Sequence, residues 1–377
     1  MKKILIVNEL VVGGGVEKVM EDLVLSLPEK EYQITLAAFF DEKKVAKETF
    51  PSIVKYYQLR QAYKGDNYPR RSVRHIFCAL RRRFFQKIAQ VWFSLQNFDV
   101  IIAMKEGSCM ELLSKVRAKK RIAWVHTDFE TFYWTDGMFP SKEAERLCMA
   151  QYDHVICVTN VVAESVKKVV GDPGNLCVRY NPINYENIRT RAQEECALTK
   201  TTDGPLFVSV GRLAYPKNYA MLIEACKELS ETYAFELWII GDGPDREELQ
   251  NMIDSDEIKC VKLLGNKSNP FPYLQQADVF VSSSLSESYG LAIQEAMTLG
   301  IPVIAVSCPA IVESMDERFG LLTEPAKESM KNAMEQFLVD PEKIIECRRN
   351  IHEYYAVNSL YDERLKKITD LWGGAHS

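Results

Sequence analysis

The chain has 377 residues, 47% of them hydrophobic and 26% charged, with ten cysteines and a formal net charge of −5. That length exceeds one ordinary core and favours two α/β domains, while the acidic balance speaks against general nucleic-acid binding. The cysteines include no Cys-x-x-Cys pair, which argues against a thiolate metal site and suggests reduced thiols in the cytoplasm.

The opening Met1-Lys-Lys-Ile-Leu-Ile-Val7 imitates a secretory leader, but its apolar run breaks at Asn8-Glu9 and reads as a first strand over Ile4–Val7. No run reaches the roughly 18–20 apolar residues needed to span a bilayer. Gly13-Gly14-Gly15 follows, with Val16, Val19, Leu23 and Leu27 at helical spacing behind it. Strand, glycine loop and helix together let a backbone approach a phosphate, although a triple glycine also serves as a plain flexible turn. The dinucleotide fingerprint is incomplete, because Lys18 stands where its third glycine belongs.

Residues 70–98 differ in kind. They contain Arg70, Arg71, Arg74, Arg81, Arg82, Arg83 and Lys87 and no acid, and Val73, Phe77, Leu80, Phe84, Ile88 and Val91 share one helical face. A basic amphipathic helix with aromatic residues suits an anionic membrane surface, with Arg74, Arg81, Arg82, Arg83 and Phe84 in contact. The plainer reading is a core-facing helix with a solvated basic rim.

Strand-like runs continue at Ile34–Phe40, Asp99–Met104, Arg121–His126, His154–Thr159 and Val178–Ile183, with helical patterns near Gly107–Val116, Lys142–Tyr152 and Val161–Val169. The alternation predicts a mostly parallel sheet covered on both faces. His126 closes its strand, where open α/β sheets place ligand contacts, though a lone histidine also serves structure. Residues 185–204, charged and threonine-rich, read as an interdomain connection.

A second series runs through Leu206–Gly211, Glu236–Gly241, Val261–Gly265, Asp278–Ser284 and Pro302–Val306. Arg212 and Lys217-Asn218 after Gly211 suit a pyrophosphate clamp, a forked donor beside a point charge; loop basic residues are also commonly just solvated. Ser286-Glu-Ser-Tyr-Gly-Leu291 opens a helix carrying Glu295, and its N-terminus at Gly290 and Leu291 suits a phosphate. On one continuous helix Glu287 and Glu295 would lie about 12 Å apart along the axis and about 80° apart around it. They either contact opposite ends of one long ligand, or are a first-turn acid and a solvated surface residue. Ile344–Tyr355 and Leu360–Trp372 are helical, the last able to pack back on the first domain.

Jointly, the glycine loop at Gly13–Gly15, His126, Asn181-Pro182, Gly211-Arg212 with Lys217-Asn218, and Glu287-Ser-Tyr-Gly-Leu through Glu295 resemble the retaining glycosyltransferases of family 4, over nearly the whole chain. The resemblance implies the α/β GT-B fold: two facing Rossmann-like, doubly wound domains with a cleft between them. Expected boundaries are an acceptor-side domain over 1–184, a linker over 185–204, a nucleotide-sugar domain over 205–357 and a C-terminal helix over 358–377. It implies a UDP- or GDP-sugar donor, a glycan or lipid-linked acceptor and no cofactor or metal. Arg212 and Lys217 would neutralise the diphosphate, Glu295 would bind the ribose and Glu287 the donor sugar. Gly14, Gly15, Gly211, Asn218, Ser288, Tyr289, Gly290 and Leu291 would line the donor, with His126 beside the sugar. Ser288 departs from the glycine many relatives carry. The expectation is therefore a cytoplasmic transferase held peripherally on the inner membrane surface and binding no nucleic acid. The rivals are a nucleotide-sugar epimerase and a non-catalytic, transferase-like partner of a catalytic protein.

Overall fold

A computed structural model describes the chain apart from residues 12, 41–45, 47–48, 51–54, 60–72, 197, 358–359 and 374–377, and apart from the side chains of residues 73–83 and 357. The chain divides into two compact units, residues 1–182 with 364–377, and residues 183–363.

The first unit holds β1 (Lys2–Asn8), β2 (Tyr32–Ala38), β3 (Lys55–Gln58), β4 (Phe98–Ala103), β5 (Ala118–Val125), β6 (His154–Cys157) and β7 (Leu176–Val178) in the order β3-β2-β1-β4-β5-β6-β7. Every described pairing is parallel. Ile4, Leu5, Ile6 and Val7 are all fully buried, as a continuous apolar run must be in a sheet with both faces covered. The order reverses between β1 and β4, so the loops leaving those two strands diverge and open a crevice at the carboxyl edge.

The second unit repeats the plan with β8 (Leu206–Val210), β9 (Glu236–Ile240), β10 (Val261–Gly265), β11 (Val279–Ser282), β12 (Val303–Val306) and β13 (Gly320–Thr323), in the order β10-β9-β8-β11-β12-β13. Its core joins Phe207, Leu237, Ile239 and Val281 of the sheet to Met330 and Phe337 of the helix Lys327–Val339. The reversal here falls between β8 and β11. Both units are therefore Rossmann-like, and the expected α/β class is the one observed.

Several details differ from the sequence reading. Of the run Val178–Ile183 only Val178 is strand, as the last residue of β7, with Arg179 N adding one more bond to Cys157 O at 3.0 Å. Two short strands, β3 and β13, carried too weak an alternation to be read. The stretch 185–204 is not a bare connection: Tyr185–Ala192 is a helix capped by Asn184, whose side chain accepts from Asn187 N. It packs on the helices Phe271–Leu274 and Leu291–Thr298. The end of the chain, from Arg364, clusters with the first unit, where Arg179 Nε donates to Lys367 O at 3.0 Å and Arg364 Nη1 to Asn181 O at 3.3 Å.

Glu236, 3% exposed at the start of β9, fastens residues 201–202 to the sheet. Its Oε1 accepts from Thr201 N at 2.5 Å, Thr201 Oγ1 at 2.6 Å and Thr202 N at 3.0 Å, and its Oε2 from Trp238 Nε1 at 2.8 Å and Lys262 Nζ at 2.7 Å. Burial pushes the carboxyl up, but the hydrogen bonds from Lys262, Thr201 and Trp238 outweigh it and hold the group down at about 2. A carboxyl held below its unfolded value of about 4.3 adds stability above that pH and loses it as pH falls further. Glu236→Gln should therefore cost roughly 1–3 kcal/mol at pH 7, with the gap to wild type closing in urea melts taken near pH 3.

Candidate functional site

In the second unit the loops after β8 and β11 are sewn together. Ser283 Oγ donates to Lys217 O at 2.6 Å, Ser284 Oγ to Pro216 O at 3.0 Å, and Leu285 N to Pro216 O at 2.8 Å. These bonds hold the 3-10 turn Tyr215–Lys217 against the end of β11. The turn closes on Asn218 in the left-handed region at φ 50°, a conformation asparagine tolerates better than most residues.

Lys217 Nζ then meets Glu287 Oε1 at 2.5 Å, both side chains largely buried. Burial alone would push the ammonium down; the charge and hydrogen bond of Glu287 more than offset it, so the lysine titrates above its ordinary value. The pair lines a pocket of about 250 Å³, open to solvent, with Ser209, Tyr219, Ser282, Gly290 and Ala292. Gly211 makes the lysine's position possible: a Cβ there would lie 2.9 Å from Tyr219 Oη and 3.0 Å from Lys217 Cε. Gly290, at φ +72°, caps the helix Leu291–Thr298, and a Cβ there would meet Ile311 Cδ1 at 2.5 Å.

The helix starts at Leu291, so Glu287 is not a first-turn acid. It lies in the preceding turn, and the continuous-helix separation of Glu287 and Glu295 does not apply. Glu295 is 6% exposed, which overturns its reading as a solvated surface residue. Arg212 is exposed in the loop after β8, with no partner among the described residues. Tyr289 is buried, while Ser288 and Leu291 are half-buried.

His126, Gly14 and Gly15 belong to the first unit. Gly14 is the N-cap of the helix Gly15–Ser26, and a Cβ there would lie 2.6 Å from Glu17 Oε2. Glu17 Oε1 accepts from Asn8 Nδ2 at 3.0 Å, so a carboxylate already serves this helix start. His126 stacks on Trp124 with ring centroids 5.7 Å apart. Burial drives its imidazole down to about 4, more than Glu106 and a hydrogen bond to the Met104 backbone restore. It is neutral at neutral pH, with Nε2 buried and without a hydrogen-bond partner among the described residues.

The sequence reading missed the groups around it. Glu106, fully buried, accepts from His126 N at 3.0 Å, Thr127 Oγ1 at 2.5 Å and Trp134 Nε1 at 2.7 Å. Lys105 pairs with Glu9 at 2.9 Å and lies 4.3 Å from the Trp134 ring centroid. The available signal was Lys105-Glu106-Gly107 at the end of a strand beside the order reversal, but charges at strand ends are commonplace. Among the described residues no group of three His, Cys, Asp or Glu is gathered as a metal site.

On the basic helix Val73–Leu95, Arg74, Arg81, Arg82 and Arg83 have side chains outside the described residues. Beyond them Phe84 is 61% exposed, and Ile88, Val91 and Leu95 are exposed on the same side. The helix instead buries Phe93 and anchors Gln90, whose Nε2 donates to Leu112 O at 3.1 Å. The described part of the apolar face is thus not core-facing. No helix among the described residues is long and apolar enough to cross a membrane.

Comparison with known proteins agrees with this architecture. The pattern of glycosyl transferases group 1 matches residues 191–354, and that of glycosyltransferase family 4 matches residues 13–187. The chain is 27% identical over 265 residues to the alpha-monoglucosyldiacylglycerol synthase of Streptococcus pneumoniae, covering 61% of this chain and 59% of the relative. It is 31% identical over 167 residues to the N-acetylgalactosamine-N,N'-diacetylbacillosaminyl-diphospho-undecaprenol 4-alpha-N-acetylgalactosaminyltransferase of Campylobacter jejuni, covering 43% and 44%. The chain thus spans about half the length of these curated relatives. The crystal structure of Anabaena HepE with UDP and glucose superimposes with TM-score 0.76 at 16% identity over 100% of both chains. This fold is GT-B.

Proton NMR of the His126 ring should show no inflection between pH 5 and 8. A midpoint near 6.5, the value of a free histidine, would contradict the neutral state described above.

Proposed function

We propose that the chain, whose two parts match glycosyltransferase family 4 and glycosyl transferases group 1, moves a hexosyl unit from a UDP- or GDP-sugar to a glycan or lipid-linked acceptor in cell-surface polysaccharide or glycolipid synthesis. The carrying observation is the Lys217–Glu287 pair, fixed at the strand-order reversal of the second unit, with the exposed Arg212 in the same loop. Breaking the anomeric bond develops negative charge on the leaving diphosphate, and a preorganised cation stabilises it without reorganising at the moment of reaction. Lys217 stays protonated and, having three donors, keeps two for phosphate oxygens while Glu287 holds the third. Arg212 adds a planar fork suited to phosphate.

In this reading Glu287 also meets the donor sugar, Glu295 binds the ribose hydroxyls, and Gly290 with Leu291 caps a phosphate. Gly14, Gly15 and neutral His126 are the first unit's candidates for contact with substrate. Transfer proceeds with retention and without a resident metal. The bond from the anomeric carbon to the phosphate oxygen breaks, the acceptor oxygen bonds to the same face, and its proton passes to the leaving phosphate. The Streptococcus and Campylobacter relatives, named for monoglucosyldiacylglycerol and diphospho-undecaprenol, support a lipid-linked acceptor, and HepE, solved with UDP and glucose, supports the donor class.

We further place the enzyme peripherally on the cytoplasmic face of a membrane, held by the helix Val73–Leu95. Support comes from its acid-free sequence and from the exposed Phe84, Ile88, Val91 and Leu95.

Lys217→Ala and Glu287→Ala should each lower kcat by about 10²–10³-fold with circular dichroism unchanged; near-wild-type rates in either would sink the assigned roles. UDP or GDP should raise the melting temperature of wild type, and the shift should persist in EDTA. Replacing Arg81, Arg82 and Arg83 by Glu should release the protein from washed membranes, and unchanged partition would remove the peripheral placement.

A further inference from the structure

Beneath the far end of the same helix, the first unit holds a second cleft, of about 360 Å³ and open to solvent. Its walls are Lys3 of β1, Gln33 and Thr35 of β2, Lys55 and Tyr57 of β3, and Trp92 and Gln96 at the helix end, with Phe98 opening β4. In the sheet register Lys3 faces Gln33 and Thr35 faces Lys55, so the two cations stand on one face. Lys3, Phe98 and Lys55 lie at or next to the first residues of their strands. The cleft is therefore at the starting edge of the sheet, opposite the edge that carries Gly14, Lys105 and His126, and plays no part in the site described above.

Among the described residues, the side chains of Gln33, Lys55 and Gln96 have no hydrogen-bond or ion-pair partner; Lys3, whose N donates to Asp99 Oδ2 at 2.8 Å, shares the field of that carboxylate with Lys119, paired to it at 2.7 Å. Two exposed ammonium groups, Lys3 and Lys55, and two unpaired amides around one cleft suit an anion with several acceptor oxygens. Tyr57 and Trp92 form one wall, edge to face with centroids 4.8 Å apart. Trp92, 36% exposed, also belongs to the helix surface on which Ile88, Val91 and Leu95 are open to solvent. A polar-tipped aromatic between a cationic cleft and an apolar stripe is the arrangement that an interfacial helix uses at the level of lipid headgroups. The helix itself carries Arg74, Arg81, Arg82, Arg83 and Lys87 and no acid, so charge complementarity points to an anionic surface.

We propose that this cleft seats the phosphate of an anionic lipid, with Lys3 and Lys55 holding the headgroup while Val91, Trp92 and Leu95 enter the acyl boundary. The inference rests on the peripheral membrane placement above and adds to it a defined headgroup site remote from the reaction site. The chemistry it recognises is a phosphate ester, which a bilayer or a free metabolite presents alike, and the experiment separates the two.

Wild type, Lys3→Glu/Lys55→Glu and the milder Lys3→Gln/Lys55→Gln are sedimented with vesicles of phosphatidylcholine alone and with phosphatidylglycerol added. Wild type should bind the anionic vesicles, and the charge-reversed protein should bind at least about tenfold more weakly, the Gln pair falling between. Equal binding by all three, with wild type attached, overturns this inference and leaves the membrane placement standing. Wild type that ignores anionic vesicles overturns both. Release of bound protein by millimolar glycerol phosphate, but not by chloride at the same ionic strength, reassigns the cleft to a soluble phosphate ester and overturns the lipid source.

Discussion

Everything in the second unit's site depends on one ion pair, Lys217–Glu287, and on the cost of burying it. A largely buried ammonium or carboxylate loses hydration that only a well-placed partner returns, so removing one member leaves the other destabilised rather than merely idle. The chain supplies the placement through backbone: hydroxyls of Ser283 and Ser284 hold the carbonyls of Lys217 and Pro216, and Gly211 leaves the space the lysine stem occupies. The strand-order reversal between β8 and β11 brings these two loops side by side. Glu287 thus keeps the Lys217 cation oriented.

The first unit shows that the same topology does not dictate the same electrostatics. Around its reversal stand Glu9, Glu17 and Glu106 against one lysine, Lys105, with His126 neutral. Glu17 already sits over the helix start that would otherwise attract a phosphate. Such an edge favours hydroxyl groups over phosphate oxygens. Glu106 is central here because one carboxylate fixes the main chain at His126, the Thr127 hydroxyl and the Trp134 ring.

Much of the fold was legible because buried parallel strands must be apolar throughout. Ile4–Val7 and Pro302–Val306 announce themselves this way. Short edge strands such as Lys55–Gln58, half solvated, lack that signature. Within the second unit's site, Gly211, Lys217, Glu287 and Gly290 were visible as a spaced motif, yet their contacts were not. Whether Glu287 lay on the helix or ahead of it turned on Gly290 adopting a left-handed cap. Glu106 escaped notice because its partners lie 20 to 28 residues away along the chain, and no local pattern records a contact of that range.

The helix Val73–Leu95 posed the opposite problem, since its pattern was plain but its orientation was not. An amphipathic face is normally spent on the core, and a sequence cannot tell which side turns inward. Here the turn is set by Gln90, bonded to Leu112 of the helix Ser108–Leu113, and by Phe93, buried beside Phe98, and it leaves Phe84, Ile88, Val91 and Leu95 outside. Several large apolar side chains exposed along one stripe are costly in water and commonly mark an interaction surface. The chain's net charge of −5 does not oppose an anionic partner there, because fields from distant acids are screened within about 8–10 Å at physiological ionic strength. What a surface meets is its local charge, and along this helix that charge is entirely positive.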